Sequence, residues 1–553
     1  PWHLKLNQGC HYHLYVLTFL LSITIFGQEN FTLSGTVYDQ SSNETLIGVS
    51  VYFPDLKSGT STNEYGFYSI TIPAGKHKVY ISYLGYKTIT ETIDLTKKNT
   101  KDFYLFEDAE NLDEIIIESN IEKTNIKTAQ MSVNKLSTKT IKQIPVVLGE
   151  ADIIKSIILL PGVTSAGEGA SGFNVRGGSA DQNLILLDEA IVFNSSHVFG
   201  FFSVFNPDVI KDVQLYKGGI PARYGGRLSS VLDIYQKEGN NKEFKLTGGI
   251  GLVSSRLLAE GPIKKGKSSF LVGGRASYAH LFLPLLDNEN KAYFYDLNSK
   301  INYRFDKNNN LFFSTYFGKD LFGINESFVN TYGNTVANLR WNHLFSDKLF
   351  SNLSLIYSDY FYGLTLDFVG FEWDSGITNY NIKYDFDYYI KDNYKLSFGV
   401  NDIYTQFNPG KIIPNRDNSG ILPEQLTNKF ANEFAAYIEA SHKINPDLTL
   451  KYGFRYSNFK RLGQEELNSY ANDMPVLYNQ ELQKYESAVA LGVENYKRSD
   501  VLANFGNFEP RVSFSYLLND DSSIKASYNR MAQYLHLLSN TASPTPLDIW
   551  APS

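Results

Sequence analysis

From Lys242 onward the chain repeats segments of roughly ten residues in which apolar and polar side chains alternate. Leu448, Leu450, Tyr452, Phe454 and Tyr456 fall on one face, and Thr449, Lys451, Gly453, Arg455 and Ser457 on the other. Pro510, Val512, Phe514, Tyr516 and Leu518 repeat the pattern against Arg511, Ser513 and Ser515, as do Tyr380, Ile382, Tyr384, Phe386 and Tyr388 against Asn381, Lys383, Asp385 and Asp387. A period of two puts successive side chains on opposite faces of a strand, so every segment has one oily and one wet face. A soluble sandwich turns the oily face inward, whereas a membrane barrel turns it to lipid and keeps the wet face for its lumen. The connections discriminate between the two. Short polar ones occur near Asp306–Asn310, Ser346–Lys348, Lys391–Asn393, Asn445–Asp447 and Asn519–Asp521. Longer ones are expected at Leu321–Asn334, Val369–Gly376, Asn408–Ala431 and Lys460–Asn507. Such alternation is what turns on one side of a membrane and loops on the other produce. Reading Lys242–Ile263 as a hairpin that turns near Leu252–Ser255 keeps the alternation in phase, and gives about 13 strands.

Composition agrees. Among 553 residues, 38 are Tyr and 38 Phe against 3 Met, a balance suited to strands and membrane-interface belts. Away from the N-terminus no run of about 18 apolar residues occurs, which excludes a helical membrane protein. A net charge of −7 argues against a nucleic-acid partner. The single cysteine, Cys10, excludes an intramolecular disulfide framework and a multi-cysteine metal site. No HExxH or HxxE spacing occurs, and GGIGLVSS sits in a barrel strand rather than a strand–turn–helix, so no metal, cofactor or catalytic group is expected.

Ahead of the barrel lie three further segments. Within residues 1–28, Leu14–Phe26 is an apolar run of the length of a secretory signal, so the protein is expected to be exported. Residues 29–108 show short strands punctuated by turns, FTLSGTVYD, GVSVYFP, YGFYSITIP, HKVYISYLGY, TITETIDL and KDFYLF, the pattern of a small β-sandwich. Their order resembles the carboxypeptidase regulatory-like domain, a folding or docking module without catalytic groups. In 111–142, Leu112, Asp113, Glu114, Ile115, Ile116, Ile117 and Glu118 form an acidic-then-aliphatic segment suited to joining another protein's sheet edge. It resembles the TonB box of outer-membrane receptors in Bacteroidetes-type bacteria. Residues 143–238 read IPVVLGEADIIKSIILLPGV, then GFNVRGGSADQNLILLDEAIVFN, then FNPDVIKDVQLYKGGIPARYGGRLSSVLDIY. A short helix over Glu150–Leu160, stopped by Pro161-Gly162, and strands at Leu184–Leu187 and in VIKDVQLY and SSVLDI are expected there. This block closely resembles the plug domain of TonB-dependent receptors, apart from Glu189 where many members have Gly.

The reading is therefore an all-β-dominated chain: a small β-sandwich, a mixed α/β plug and a transmembrane antiparallel β-barrel over 242–553. The resemblance implies an outer-membrane receptor importing a scarce, bulky nutrient such as a ferric siderophore, haem, cobalamin or an oligosaccharide. Its partners would be TonB with the inner-membrane energising complex, and outer-membrane lipids. The sandwich would lie in the periplasm. In the resembled family the barrel has about 22 strands, which would leave roughly nine beyond this sequence, so the resemblance implies a C-terminal truncation. The resemblance also implies ion pairs between plug and wall. Arg176, Arg223 and Arg227 are the expected cations, with Asp188, Glu189 and Asp233 as their expected partners, and Gly177, Gly178, Gly225 and Gly226 as turn-formers. Expected plug apexes are Ser165–Ser171 and Phe193–Phe202, the second offering Phe193, His197 and Phe199 to a ligand or to the wall. Within transport, the alternative is a starch-utilisation-type oligosaccharide or peptide importer with a surface lipoprotein lid. Outside it stand a sensor, which would carry a mixed helix–strand signalling domain, and an adhesin, which needs neither plug nor box.

Overall fold

The computed structural model describes residues 29–108, 131–144, 150–167, 172–278, 280–282, 290–325, 327–519, 521–538 and 548–552. The expected signal segment, Cys10 and the expected TonB box at Leu112–Glu118 lie outside the described residues.

The N-terminal unit is a sandwich of two sheets. One pairs Asn30–Asp39 with Phe67–Pro73 and, in parallel, with Asn99–Thr100 and Phe103–Leu105; the other has the order Ser58–Ser61, Ser50–Phe53, Gly75–Ser82, Ile89–Leu95. Alternate residues from both sheets, among them Leu33, Val51, Phe53, Ile70, Val79 and Ile81, fill one core.

The wall is one antiparallel sheet in which successive strands pair from Lys245–Ile250 and Ser254–Lys264 through to Val501–Asn519 and Ser522–Asn529. The hairpin across Gly251–Val253 stands where the alternation places it. The sheet is inside out relative to a soluble protein. Leu297, Ile301 and Tyr303 are exposed, while Asn298, Lys300 and Asn302 between them are buried. In the Phe371–Lys391 strand, Tyr380 and Ile382 face out and Asn379, Asn381, Lys383, Asp385 and Asp387 face in.

Two expected long loops are strand instead. Asn309–Ile324 and Phe328–Ser346 pair down to Ile324↔Phe328, and Leu349–Leu366 and Phe371–Lys391 pair down to Leu366↔Phe371. The Gly, Asn and Asp residues there read as loop, but each backbone group finds a cross-strand partner, so the ladders continue well past the ~9–11 residues needed to span a bilayer. The segment SPTPLDIWAPS also reads as loop, yet Ile549–Pro552 pairs with Leu535–Leu538.

The plug sits inside this wall. Its sheet has the order Ala190–Ile191, Asn183–Leu187, Ser230–Gln236, Ile210–Tyr216, Val133–Ser137. It therefore begins earlier than Gln143, and an unforeseen helix, Thr138–Gln143, follows that first strand. The expected second helix spans Ile153–Ile158. Asp152 caps it by accepting from the Lys155 N–H at 2.9 Å, and Gly162 at φ +77° follows it. Plug and wall share one core, in which Ile157, Phe173, Val213 and Ile234 meet Tyr316, Val336 and Ile356 of the wall.

If the outward face meets lipid, Ile382→Arg (55% exposed) should lower stability in liposomes by about 2–4 kcal/mol. Val489→Arg, 86% exposed in the long loop, should change it little. Equal urea midpoints for the two variants would show that this face does not contact lipid.

Candidate functional site

A polar lumen wall is a liability unless its buried charges are met, and the plug meets them along most of the sheet. Lys300 Nζ donates to Asp188 Oδ2 at 2.8 Å, both fully buried. Arg275 grips Asp296 at 2.7 Å beside it and pairs with Glu150 of the plug. Arg256 holds Asp208 at 2.6 Å. Further along the sheet Glu439 accepts from the Ala222 N–H at 2.8 Å, and Arg511 donates to the Ile220 carbonyl at 3.2 Å. Between these, neutral amides do the same work: Asn338 donates to the Asp188 carbonyl at 2.6 Å and Asn334 to the Asn194 carbonyl at 2.8 Å. Breaking one member of such a pair strands a charge in low dielectric, which costs far more than a surface pair contributes.

The expected plug residues are brought to this seam in part, and their pairing differs from expectation. Asp188 pairs with Lys300, Glu189 with Lys383 at 3.8 Å, and Asp233 accepts from the Tyr224 and Tyr235 hydroxyls at 2.6 Å each. None of the three meets an expected arginine. Arg223 pairs with Asp387 of the wall at 3.3 Å and with Glu64 of the sandwich at 3.0 Å. Arg176 is exposed, at φ +51°, and donates to Ser132 Oγ at 2.7 Å. Arg227 is buried with its guanidinium 5.2 Å from the Trp550 ring. Burial pulls Arg227 down to about 10, against the opposing charge of Glu433. The partners of Asp188, Glu189, Arg223 and Arg227 come from segments about a hundred or more residues away, so no local spacing announces them.

Of the expected turn-formers, Gly226 adopts φ +77°, and a Cβ on Gly178 would lie 2.7 Å from the Ser229 Cβ. Gly177 follows Arg176 in the same turn, and Gly225 lies against the Arg455 side chain. The departure at Glu189 has a structural consequence. Leu187 pairs with Ala190, so Asp188 and Glu189 form a two-residue hairpin loop, at φ +46° and +73°. That geometry favours glycine in the second place, and a side chain there costs of order 1–3 kcal/mol unless its surroundings hold it. Here they do: Glu189 Oε1 accepts from Asn352 Nδ2 at 2.9 Å and from the Tyr65 hydroxyl at 2.6 Å.

At the second apex, His197 is 1% exposed. Its Nδ1 lies 2.6 Å from Asp320 Oδ2, its Nε2 3.3 Å from Asp296, and its ring stacks on Phe294 at 4.3 Å. Burial opposes the charged imidazole, but the two carboxylates outweigh it and raise its pKa. His197 is thus committed to the wall. Phe199 packs edge-on against Phe322 and Tyr332. Phe193 lines a cleft of about 630 Å³, open mouth included, with Asn194, Tyr360 and Trp550. A second cleft, of about 680 Å³, lies between Arg223–Arg227 and the wall amides Asn379, Asn381 and Asn401. The Ser165–Ser171 apex lies partly outside the described residues.

A wall with an oily outside, a polar inside and a folded domain keyed into its lumen defines a plugged outer-membrane barrel. Comparison with known families agrees in all three units. Residues 33–117 match the CarboxypepD_reg-like domain, 125–230 the TonB-dependent Receptor Plug Domain and 414–547 the Outer membrane beta barrel domain. The chain thus has the domain set and fold of a TonB-dependent outer-membrane receptor. Among solved structures it is similar to the copper transporter OprC (12% identity, 72% of this chain and 64% of that one, TM-score 0.52). It is similar too to the alcaligin outer-membrane receptor FauA of Bordetella pertussis (15%, 74% and 64%, 0.52) and the FrpB iron transporter of Neisseria meningitidis (15%, 74% and 64%, 0.50). The chain spans about 64% of the length of these relatives. No curated protein matches it.

Two measurements probe the seam. Lys300→Met should destabilise the plug by about 3–5 kcal/mol, read from exchange of the Asn183–Leu187 amides, and Asp188→Asn added to it should recover most of the loss. A cost no larger than that of a solvated pair would refute a closed seam. The second concerns pH. Burial pushes Asp233 from an ordinary 3.8 up to about 6 against its two phenol hydrogen bonds. Between those values the folded plug keeps a proton that the unfolded chain has released. Its contribution is therefore fully present below the unfolded value and is lost as pH rises through about 6. Exchange protection of the Ser230–Gln236 strand, corrected for intrinsic rates, should be higher at pH 5 than at pH 7. Asp233→Asn should remove the difference, and a pH-independent native protein would refute the assignment.

Proposed function

We propose that the chain is an energised outer-membrane importer, with the sandwich on the periplasmic side and Leu112–Glu118 as the segment that TonB grips. One observation carries this reading above others: the lumen is filled by a folded plug whose outermost strand, Val133–Ser137, lies in the same 111–142 segment as the expected box and on its C-terminal side. An edge strand of five residues, paired on one side only to Ile210–Tyr216, is the first element that tension from the N-terminal side would load. The outer membrane has no energy source of its own, so work done on the plug has to arrive mechanically. The inner-membrane proton gradient, through TonB, is its source in this reading. Backbone pairing between the box and TonB suits that role because it bears load without demanding particular side chains.

The cargo is a scarce, bulky nutrient: a ferric siderophore, haem, cobalamin or an oligosaccharide. Structural neighbours named for copper, alcaligin and iron put a ferric siderophore first in the order of testing. Of the three expected apex residues, Phe193, which lines the cleft, is the one offered to cargo, while Phe199 packs on the wall and His197 serves it.

The test is growth of cells carrying the full-length gene on each cargo class as limiting nutrient, native against Ile116→Pro. Proline removes the backbone donor that strand addition needs. Loss of growth on one cargo at unchanged outer-membrane abundance is expected. Equal growth of native and variant on the cargo that the native protein supports would sink the reading.

A further inference from the structure

The sandwich does more than precede the plug. Its Thr62–Phe67 turn leaves the domain and enters the barrel at the end where the wall's short turns lie. Asn63 stiffens the turn by accepting from the Tyr65 and Phe67 N–H groups, at 3.0 Å each. Glu64 then pairs with Arg223 of the plug at 3.0 Å, and Arg223 reaches on to Asp387 of the wall, so one guanidinium ties three units. The Tyr65 hydroxyl donates to Glu189 at 2.6 Å, while its ring lies 5.0 Å from the Arg340 guanidinium. Tyr65 and Phe67 both stack on Phe350, at 5.2 and 5.6 Å, and Phe67 meets Tyr389 edge-on at 5.8 Å.

Two features show that this seat is built for the turn. Phe350 and Tyr389, on the inner face of the wall, are buried in one cluster with Phe67 and take the sandwich rings Tyr65 and Phe67 as their aromatic partners. Glu189 holds a backbone geometry that suits glycine, and the partners of its carboxylate include the sandwich hydroxyl. A second footing secures the domain's flank: Thr45 Oγ1 donates to Glu238 Oε1 at 2.6 Å, and Arg304 of the wall donates to the Tyr38 hydroxyl at 2.6 Å.

We propose that the sandwich is a lock on the plug: Glu64 and Tyr65 are positioning residues that hold Arg223 and Glu189 in register, and the plug moves only after the turn withdraws. This rests on the reading above insofar as the plug moves at all. The expected TonB segment lies in the chain between lock and plug, so one pull acts on both. Removing the turn leaves Arg223 with Asp387 alone and Glu189 with its wall contacts alone. The resting plug is thus satisfied on both sides only while the sandwich is seated.

The test uses the purified chain in liposomes without TonB, so that its outcome is independent of transport. Amide exchange is followed at Asp188–Ile191 and Pro221–Arg227, with the Gly75–Ser82 strand of the sandwich core as internal control. Tyr65→Phe keeps the stacking and loses the hydroxyl; Glu64→Gln loses the charge. Each should speed plug exchange by about tenfold, the size expected for losing a hydrogen bond to a charged group, with the control strand unchanged. Glu189→Gly discriminates further. As a turn residue only, glycine there should slow exchange by relieving the backbone; in the lock it should speed exchange and abolish the effect of Tyr65→Phe. Unchanged plug exchange in both Tyr65→Phe and Glu64→Gln would overturn the proposal, as would slower exchange in Glu189→Gly.

Discussion

The structure depends on how a polar lumen is neutralised. Turning the oily faces of the strands outward leaves Lys300, Arg275, Arg340, Lys383 and several carboxylates and amides facing a narrow interior. In open water such groups cost little, but against a folded domain each has to find a partner. Asp188, Glu150, Arg223 and the carbonyls of the plug supply those partners. Plug and wall are therefore complementary in charge, and each explains why the other's polar residues are tolerated in burial.

Charge complementarity also reconciles a tight seal with a movable plug. Apolar packing fills one side of the seam, where Ile157, Phe173 and Val213 meet Tyr316 and Val336. Phe199 adds rings at Phe322 and Tyr332, but ion pairs and amides make up much of the remainder, and the cleft beside Arg223–Arg227 is lined by amides such as Asn379 and Asn381 with unpartnered polar atoms. Water entering a seam of this kind can take over its hydrogen bonds one at a time, whereas an apolar seam exposes oily area all at once. Strain belongs to the same picture, since Glu189 keeps a costly conformation only while its carboxylate is held.

Much of the architecture was legible along the chain because strands and hairpins are written in local patterns. Alternation over Tyr380–Tyr388 marked both faces of its strand, and Pro161-Gly162 marked where the second plug helix stops. The errors share one cause. Asn and Gly residues around Phe328–Asn334 and Phe371–Gly376 read as loop because turn composition is a local signal, whereas ladder pairing is decided by the neighbouring strand. Val133–Ser137 read as linker for the same reason, its partner Ile210–Tyr216 lying some 75 residues further on.

By itself the sequence determined which faces are oily, where strands reverse and which residues carry charge, because these follow from side-chain chemistry at a period of two. It also carried the motifs of sandwich and plug. Only the tertiary structure decided who pairs with whom. Arg223 meets Glu64 and Asp387 rather than Asp188 or Glu189, and His197 turns to Asp320 rather than outward. Such choices depend on how strands distant in sequence stack around a lumen, where a buried charge takes the nearest opposite one that the fold presents, and no spacing along the chain encodes that distance.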